Sequence, residues 1–583
     1  MAYSGHFAKN HFYLFFCFTS EGDCLSARMN KRLFNFINIL LLIAVASFYA
    51  LWDINKGELI GADTCAHALT GIFFSDFFKD VVFLKSFKDI WNYIWIYYAH
   101  YPALGLLHWP PLFHLIEGFY FLFVNISESH ARFLIYIFFV LAVIYYYLLM
   151  LKLFDYYVAI LSSVLFITSP IIIIYSNIVS LEIPSLALSL MAIYFFNNFR
   201  HDFRTKDGLL TSIATGLALL TKQTALFLLL FFILFFLFNY NKYKLNIKLY
   251  YKKLIIFFVL IVILIFPYYF IAMYFHSGTI FKDVLIGSVS KSPYLSIHFY
   301  LYYIIHLDQQ LSYITILLLL IYSTIIFTFY NKLVYSPNFL IIWALSCYLF
   351  FTFIAQKDVR YIIYWIPALT GVASIGFFEV NKYISNRYNI NSLKYALIFI
   401  VSIICISISS GFLVERPFIE GYDNVAKYIV SRVQDRQNEI ILYDGYDYGN
   451  MIISLRKNDP RRKIYLFRTS KYLYTTNIMP QYETRIISSE KYNIIMFLKK
   501  YGIRYITLSC NYDNTIISSE NLRKMIKEDR DFILLKQFYV NNNDGRDGYV
   551  SVYYYKEGIP LASGTELEIP MLTIGKTIRI QLK

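Results

Sequence analysis

Long apolar runs recur along this chain, and no other feature limits its fold so strongly. A bilayer core roughly 30 Å thick takes about 20 helical residues to cross, and only structures that satisfy their own backbone hydrogen bonds can cross it. Such runs lie at 33–52, 132–152, 156–176, 180–198, 208–222, 224–239, 254–275, 310–330, 338–355, 361–378 and 395–413. They predict a multi-pass α-helical membrane protein with about eleven spans. Composition agrees: 58% of the 583 residues are hydrophobic and 16% charged, where an ordinary soluble domain carries about 25% charged residues. The 55 Tyr and 55 Phe are what AT-rich codons produce, so the aromatic excess carries no functional weight. The six cysteines show neither metal-ligand spacing nor regular pairing, so no zinc site or disulfide framework is read from them.

The distribution of basic residues fixes the sides. Met29-Asn30-Lys31-Arg32 before the first apolar run resembles a natural start, which would make residues 1–28 a start-site misassignment; the run itself reads as a signal anchor. With a cytoplasmic N-terminal segment (1–32), the inner loops receive Lys152, Arg200, Arg204, Lys206, the cluster Lys242, Lys244, Lys248, Lys252 and Lys253, then Lys332, Lys382, Arg387 and Lys394. This is the positive-inside bias, and it accounts for much of the net charge of +15 without nucleic acid. Residues 110–124 are too short for a span and carry His114 and Glu117, so they read as a re-entrant or interfacial helix within one outer loop, 53–131. After Val414 the apolar runs shorten. Strand-like Glu439–Tyr443, Lys463–Leu466 and Arg504–Leu508 alternate with amphipathic patterns near 422–434, 489–501 and 519–528, and strand-rich sequence follows from about 532. A membrane domain (33–413) therefore precedes an extracytoplasmic α/β domain (414–583).

Polar groups at the outer membrane edge are costly, so they are the candidates for chemistry. Asp63, about ten residues past the first span, fits either a helix N-cap or a general base acting on a hydroxyl. His108-Trp109-Pro110-Pro111 fixes a turn in which His108 is a turn, interface or substrate-positioning residue. Glu182 stands in the tight outer turn Ser180-Leu181-Glu182-Ile183-Pro184. Lys222 and Arg360, the latter in Lys357-Asp358-Val359-Arg360-Tyr361, are outer-side cations. Either they snorkel or they hold a lipid-linked phosphate, for which Arg supplies a bidentate grip and Lys a point charge. No Walker sequence, G-x-G-x-x-G or H-E-x-x-H occurs, which leaves nucleotide-driven transport and zinc proteolysis without support.

In this order, Asp63, Trp109-Pro110-Pro111-Leu112, Arg132, Ser169-Pro170, Glu182-Ile183-Pro184, Leu219-Leu220-Thr221-Lys222 and Arg360-Tyr361 with Pro367 resemble the GT-C superfamily of integral-membrane glycosyltransferases. Within it they look most like the branch of protein O-mannosyltransferases and the lipid A aminoarabinose transferase. The resemblance implies transfer of a hexosyl or pentosyl unit from a polyprenyl-phosphate donor to a hydroxyl of a lipid, glycan or protein acceptor at the outer face, with inversion. Asp63 would be the general base, Lys222 and Arg360 would hold the donor phosphate, and Glu182 would position a substrate, as would His108, Trp109 and Tyr361. Two departures stand out: the family turn often has Asp where Glu182 stands, and a second acid often occupies the place of Thr64, which leaves divalent-metal use open. A flippase of lipid-linked precursors is the alternative, for which charges at a midplane cavity are expected.

Overall fold

The computed structural model describes residues 31–582 apart from 84, 107, 277–295, 330–334, 389–391, 434–437, 476–484, 544–545 and 572–575. The proposed misassigned start, 1–28, and the inner-side Lys332 lie outside the described residues.

Every apolar run becomes helical. The helices are α1 (Lys31–Leu51), α2 (Ala62–Asp80), α3 (Phe87–His100), α4 (Leu112–Tyr120), α5 (Glu128–Leu153), α6 (Tyr156–Ile167), α7 (Pro170–Tyr175), α8 (Glu182–Asp202), α9 (Thr205–Thr221), α10 (Phe227–Phe238), α11 (Tyr240–His276), α12 (Ile297–Ile305), α13 (Tyr313–Phe329), α14 (Asn338–Thr352), α15 (Ile366–Tyr388) and α16 (Ser392–Gly411). Four stretches, Leu33–Leu51, Glu128–Leu153, Lys248–Tyr274 and Val359–Asn381, are long and apolar enough to cross a membrane, and several shorter apolar helices accompany them. On α11, Val259, Ile263, Phe266 and Phe270 stay exposed, the surface of a helix whose neighbour is lipid.

Local chemistry sets the boundaries. Ser127 caps α5 by accepting the His130 N–H at 3.2 Å, and the Asp155 carboxylate caps α6 by accepting the Tyr157 and Val158 N–H groups. The run 156–176 is two helices, because Pro170, which has no N–H, sits at the first position of α7 and forces Ser169 into an extended conformation. The run 254–275 is the end of a longer helix that begins at Tyr240 and kinks at Tyr250 (φ −113°, ψ 15°). The basic cluster from Lys242 onward therefore lies on a helix rather than a loop.

Segment 53–131 holds more structure than its sequence announces. The expected short helix is α4, nine residues long, with His114 and Glu117 buried. It packs on α2 so closely that a Cβ on Gly118 would lie 2.5 Å from the Cβ of Phe74.

The C-terminal region forms a six-stranded sheet from β1 (Ile419–Glu420), β2 (Glu439–Asp444), β3 (Ile464–Arg468), β4 (Tyr505–Leu508), β5 (Phe532–Asn542) and β6 (Gly548–Tyr555) in the order β1-β5-β6-β4-β2-β3. β3, β2 and β4 are mutually parallel, and their almost continuous burial matches strands covered on both faces. Helices α17 (Tyr422–Val433), α18 (Tyr448–Asn458), α19 (Lys491–Lys500) and α20 (Ile517–Glu528) complete it.

This region grips segment 53–131 through buried and partly buried polar contacts. Arg456 on α18 makes a bidentate pair with Asp76 on α2 at 2.6 and 2.9 Å, Arg462 reaches Asp80 at 2.6 Å, and His100 Nδ1 lies 2.8 Å from the Ile464 carbonyl oxygen. Glu58 accepts the N–H groups of Gly421 and Asp423 at 3.1 and 2.8 Å. Burial pushes its carboxyl from the usual 4.5 up to about 7, against the pull of those two N–H groups. The folded protein thus keeps a proton that the unfolded chain has released, so Glu58 costs stability as pH rises from about 4.5 through about 7. Glu58→Gln should flatten the fall in thermal stability between pH 5.5 and 8, and an unchanged slope in that variant would show that Glu58 is not the titrating group.

Candidate active site

Four residues far apart in the chain meet at one end of the helical bundle. Gly61, with φ of +81°, occupies the N-cap of α2 without any side-chain cap. Asp63 therefore lies in the first helical turn and is not the cap, and its carboxylate turns to Arg360, with Oδ2 2.9 Å from Nη2. Glu182 is the first residue of α8, where the helix dipole favours an anion. Lys222 follows α9 as its C-cap, where the dipole favours a cation. Its Nζ is 2.5 Å from Glu182 Oε1. Arg360 Nε stands 3.7 Å from that same oxygen, so the Glu182 carboxylate is held between two cations.

Arg360 owes its place to a turn. Asp358 caps the 3₁₀ helix Val359–Trp365 by accepting the Arg360 N–H at 2.9 Å, and its other oxygen lies 3.0 Å from Arg360 Nε. The guanidinium thus donates to Asp63 and lies within ion-pair distance of two further carboxylates, Asp358 and Glu182. Exposure separates their roles: the Asp63 side chain is 47% exposed and the Glu182 side chain 3%. Asp63 can meet an incoming molecule, and Glu182 can act only through the cations beside it.

The other sequence-derived candidates border this cluster. The Tyr361 ring centre lies 5.6 Å from both Lys222 Nζ and Arg360 Cζ. The Trp109 ring packs against His67 at 4.2 Å with the planes tilted by 52°, and the His108 ring meets Trp109 edge-on at 4.4 Å. Gln223, next to Lys222, donates to the His108 carbonyl oxygen at 3.2 Å and so ties the Pro-Pro turn to the end of α9.

Sequence reasoning passed over His67, although its spacing of four residues from Asp63 places both on one face of α2. His67 Nδ1 is 3.0 Å from His114 Nε2 in a buried pair. Burial brings the His67 imidazole down to about 3, with Lys222 and Arg360 pushing the same way and Glu182 opposing them. It is therefore neutral in the working range. Asp358 was also missed, though Asp-x-Arg is a readable turn-capping pattern. Among the described residues, no group of three or more His, Cys, Asp or Glu is arranged to hold a metal ion, and the Asp63 carboxylate already faces Arg360.

Comparison with known proteins adds to this geometry. The profile of the family described as dolichyl-phosphate-mannose-protein mannosyltransferase matches residues 108–269, which include His108, Trp109, Glu182 and Lys222. No curated protein sequence matches. In three dimensions the chain is similar to ArnT from Cupriavidus metallidurans bound to undecaprenyl phosphate, with a TM-score of 0.56 and 13% identity over 88% of this chain and 97% of that one. It is also similar to the oligosaccharyltransferase AglB from Archaeoglobus fulgidus in complex with an inhibitory peptide and a dolichol-phosphate, with a TM-score of 0.52 and 10% identity over 89% and 74%. The chain has the GT-C fold. It resembles GT-C glycosyltransferases in overall architecture, and within the profile's reach also in sequence.

In this GT-C chain the Glu182–Lys222 pair is buried, so removing Lys222 leaves Glu182 with only the more distant Arg360 at 3.7 Å. Lys222→Met should lower stability by about 3–5 kcal/mol, and Lys222→Met combined with Glu182→Leu should recover most of it, because an apolar pair replaces a buried ionic one at little net cost. Thermal unfolding in detergent checks this, and a fully stable single variant would disprove the close buried pairing.

Proposed function

We propose that the chain is a glycosyltransferase that moves a hexosyl or pentosyl unit from a polyprenyl-phosphate donor to a hydroxyl of a lipid, glycan or protein acceptor at the outer membrane face, with inversion. One observation carries the reading: within a GT-C fold, an accessible carboxylate, a buried carboxylate and two cations from four distant stretches converge at the ends of helices.

Asp63 Oδ1 or Oδ2 takes the proton of the acceptor hydroxyl. The freed oxygen attacks the anomeric carbon, a new C–O bond forms, and the bond to the donor phosphate breaks, its electron pair leaving with the phosphate. Lys222 and Arg360 stabilise the charge that develops there. Both cations are already engaged by carboxylates, so the phosphate displaces part of that network, which the three donors of Lys and five of Arg permit. Glu182 holds the two cations in register, and His108, Trp109 and Tyr361 line the substrates. By this reading the chain has about eleven spans, a cytoplasmic N-terminus (1–32), a membrane domain (33–413) and an extracytoplasmic α/β domain (414–583). A flippase fits less well, because the charges cluster at helix ends rather than mid-helix.

Membranes containing the protein should transfer labelled sugar from a polyprenyl-phosphate donor, and Asp63→Asn should reduce this by at least about 10²-fold at unchanged expression; full activity in Asp63→Asn overturns its role as base. A reporter enzyme fused after Val414 should be active on the extracytoplasmic side, and cytoplasmic activity would refute the proposed topology.

A further inference from the structure

Ile60 and Thr64, on either side of Asp63 in the chain, line an open cleft in the protein surface. Three segments wall it: the stretch after α1 (Asp53, Lys56, Leu59, Ile60), the end of α7 and the loop before α8 (Ile174, Asn177 to Val179) and the stretch just before β1 (Arg416 to Phe418). Thr64 and Arg132 complete the lining.

The charges do not balance. Three cations, Lys56, Arg132 and Arg416, face one carboxylate, Asp53, which Arg416 meets through a single contact at 3.2 Å. Arg132 spends its donors on the carbonyl oxygens of Ile54, Lys56, Gly57 and Glu58 at 2.7–3.2 Å, and the carboxylates of Glu128 and Asp53 act on its charge only from a distance. Among the described residues Lys56 meets no carboxylate; its ammonium rests 4.8 Å from the centre of the Phe418 ring. That clamp and a turn that admits only glycine fix the wall: Gly57 has φ of +65°, and a Cβ there would lie 2.7 Å from the Ile419 carbonyl oxygen. The charged lining of the cleft is thus net positive.

Apart from Thr64 and Asn177 its remaining lining is apolar, with Leu59, Ile60, Ile174, Ile178, Val179 and Phe418. Trp52, 68% exposed, stands next to Asp53 at the end of the first membrane-crossing helix, the position of an interfacial anchor. Positive groups above an apolar wall at that level match an amphiphile whose head is anionic.

We propose that this cleft binds the phosphate of a lipid headgroup, with Lys56 and Arg416 on the phosphate oxygens and the Ile174–Val179 wall against the glycerol and first acyl carbons. The site is separate from the donor phosphate site proposed above and is measurable without turnover, so it stands or falls independently of the transferase reading.

The test is calorimetric titration of the purified full-length protein in a nonionic detergent with three probes: dihexanoyl phosphatidic acid, dihexanoyl phosphatidylcholine and inorganic phosphate. Phosphatidic acid should bind at least about tenfold more tightly than either other probe, and Lys56→Ala, an exposed position that leaves the fold intact, should weaken it by about tenfold. Arg416→Gln should weaken it similarly, and Arg416→Lys should retain part of the affinity. Equal binding of phosphatidic acid and phosphatidylcholine shows that charge is not read and overturns the proposal. Inorganic phosphate binding as tightly as phosphatidic acid makes the site one for a free anion and overturns the lipid assignment. Unchanged phosphatidic acid affinity in Lys56→Ala places the binding elsewhere and overturns the site.

Discussion

A carboxylate with almost no access to water stands at the start of α8, and much of the site geometry follows from neutralising it. Taking an ion of this size out of water costs several kcal/mol even after relaxation, and Glu182 recovers that cost only with Lys222 at 2.5 Å and Arg360 at 3.7 Å. The first contact fixes the end of α9 against the start of α8. The second fixes the turn Asp358–Trp365 over both, and that turn presents the guanidinium that holds Asp63. Asp63 is thereby oriented through a chain of charges that begins at a residue itself sealed from solvent.

The other support for Asp63 comes from outside the helical bundle. The Asn450 side chain donates to the Leu59 carbonyl oxygen at 2.6 Å, and Gly449 leaves so little room that a Cβ there would sit 2.5 Å from the Cβ of Cys65. Arg132 clamps the carbonyls just upstream, and the Asp76–Arg456 pair anchors the far end of the same helix. α2 is therefore a shared wall, with Leu69, Ile72 and Phe73 fully buried although it belongs to a segment between spans. The C-terminal region does not simply follow the bundle; it holds the helix that carries Asp63.

Several of these features could be read in the chain, and others could not. Runs of apolar residues give helices whatever they pack against, so their positions were legible, as were the strands at Glu439, Ile464 and Tyr505. The break at Ser169-Pro170 was visible as a motif, but a Pro at a helix start and one at a helix end look alike until the backbone is traced. The kink at Tyr250 has no Gly or Pro to announce it. Helix α18 escaped because its apolar residues are buried on several sides, which blurs the periodicity that marks an amphipathic helix. His67 and Asp358 act through partners about 47 residues away and two residues away respectively; the first pairing leaves no local signal, and the second was present but unread.

The sequence by itself determined that the chain is a membrane protein, where its long apolar helices fall, and that Asp63, Glu182, Lys222 and Arg360 are polar groups at costly places. Those conclusions rest on hydrophobicity and backbone hydrogen bonding, which depend on neighbours a few residues away. Only the tertiary structure decided that these four groups share one cluster, that Glu182 is sealed while Asp63 is open, and that Asp63 is a helix-turn residue facing Arg360 rather than a cap. Burial and ion pairing depend on what lies across space, and helix packing, not spacing along the chain, supplies those partners.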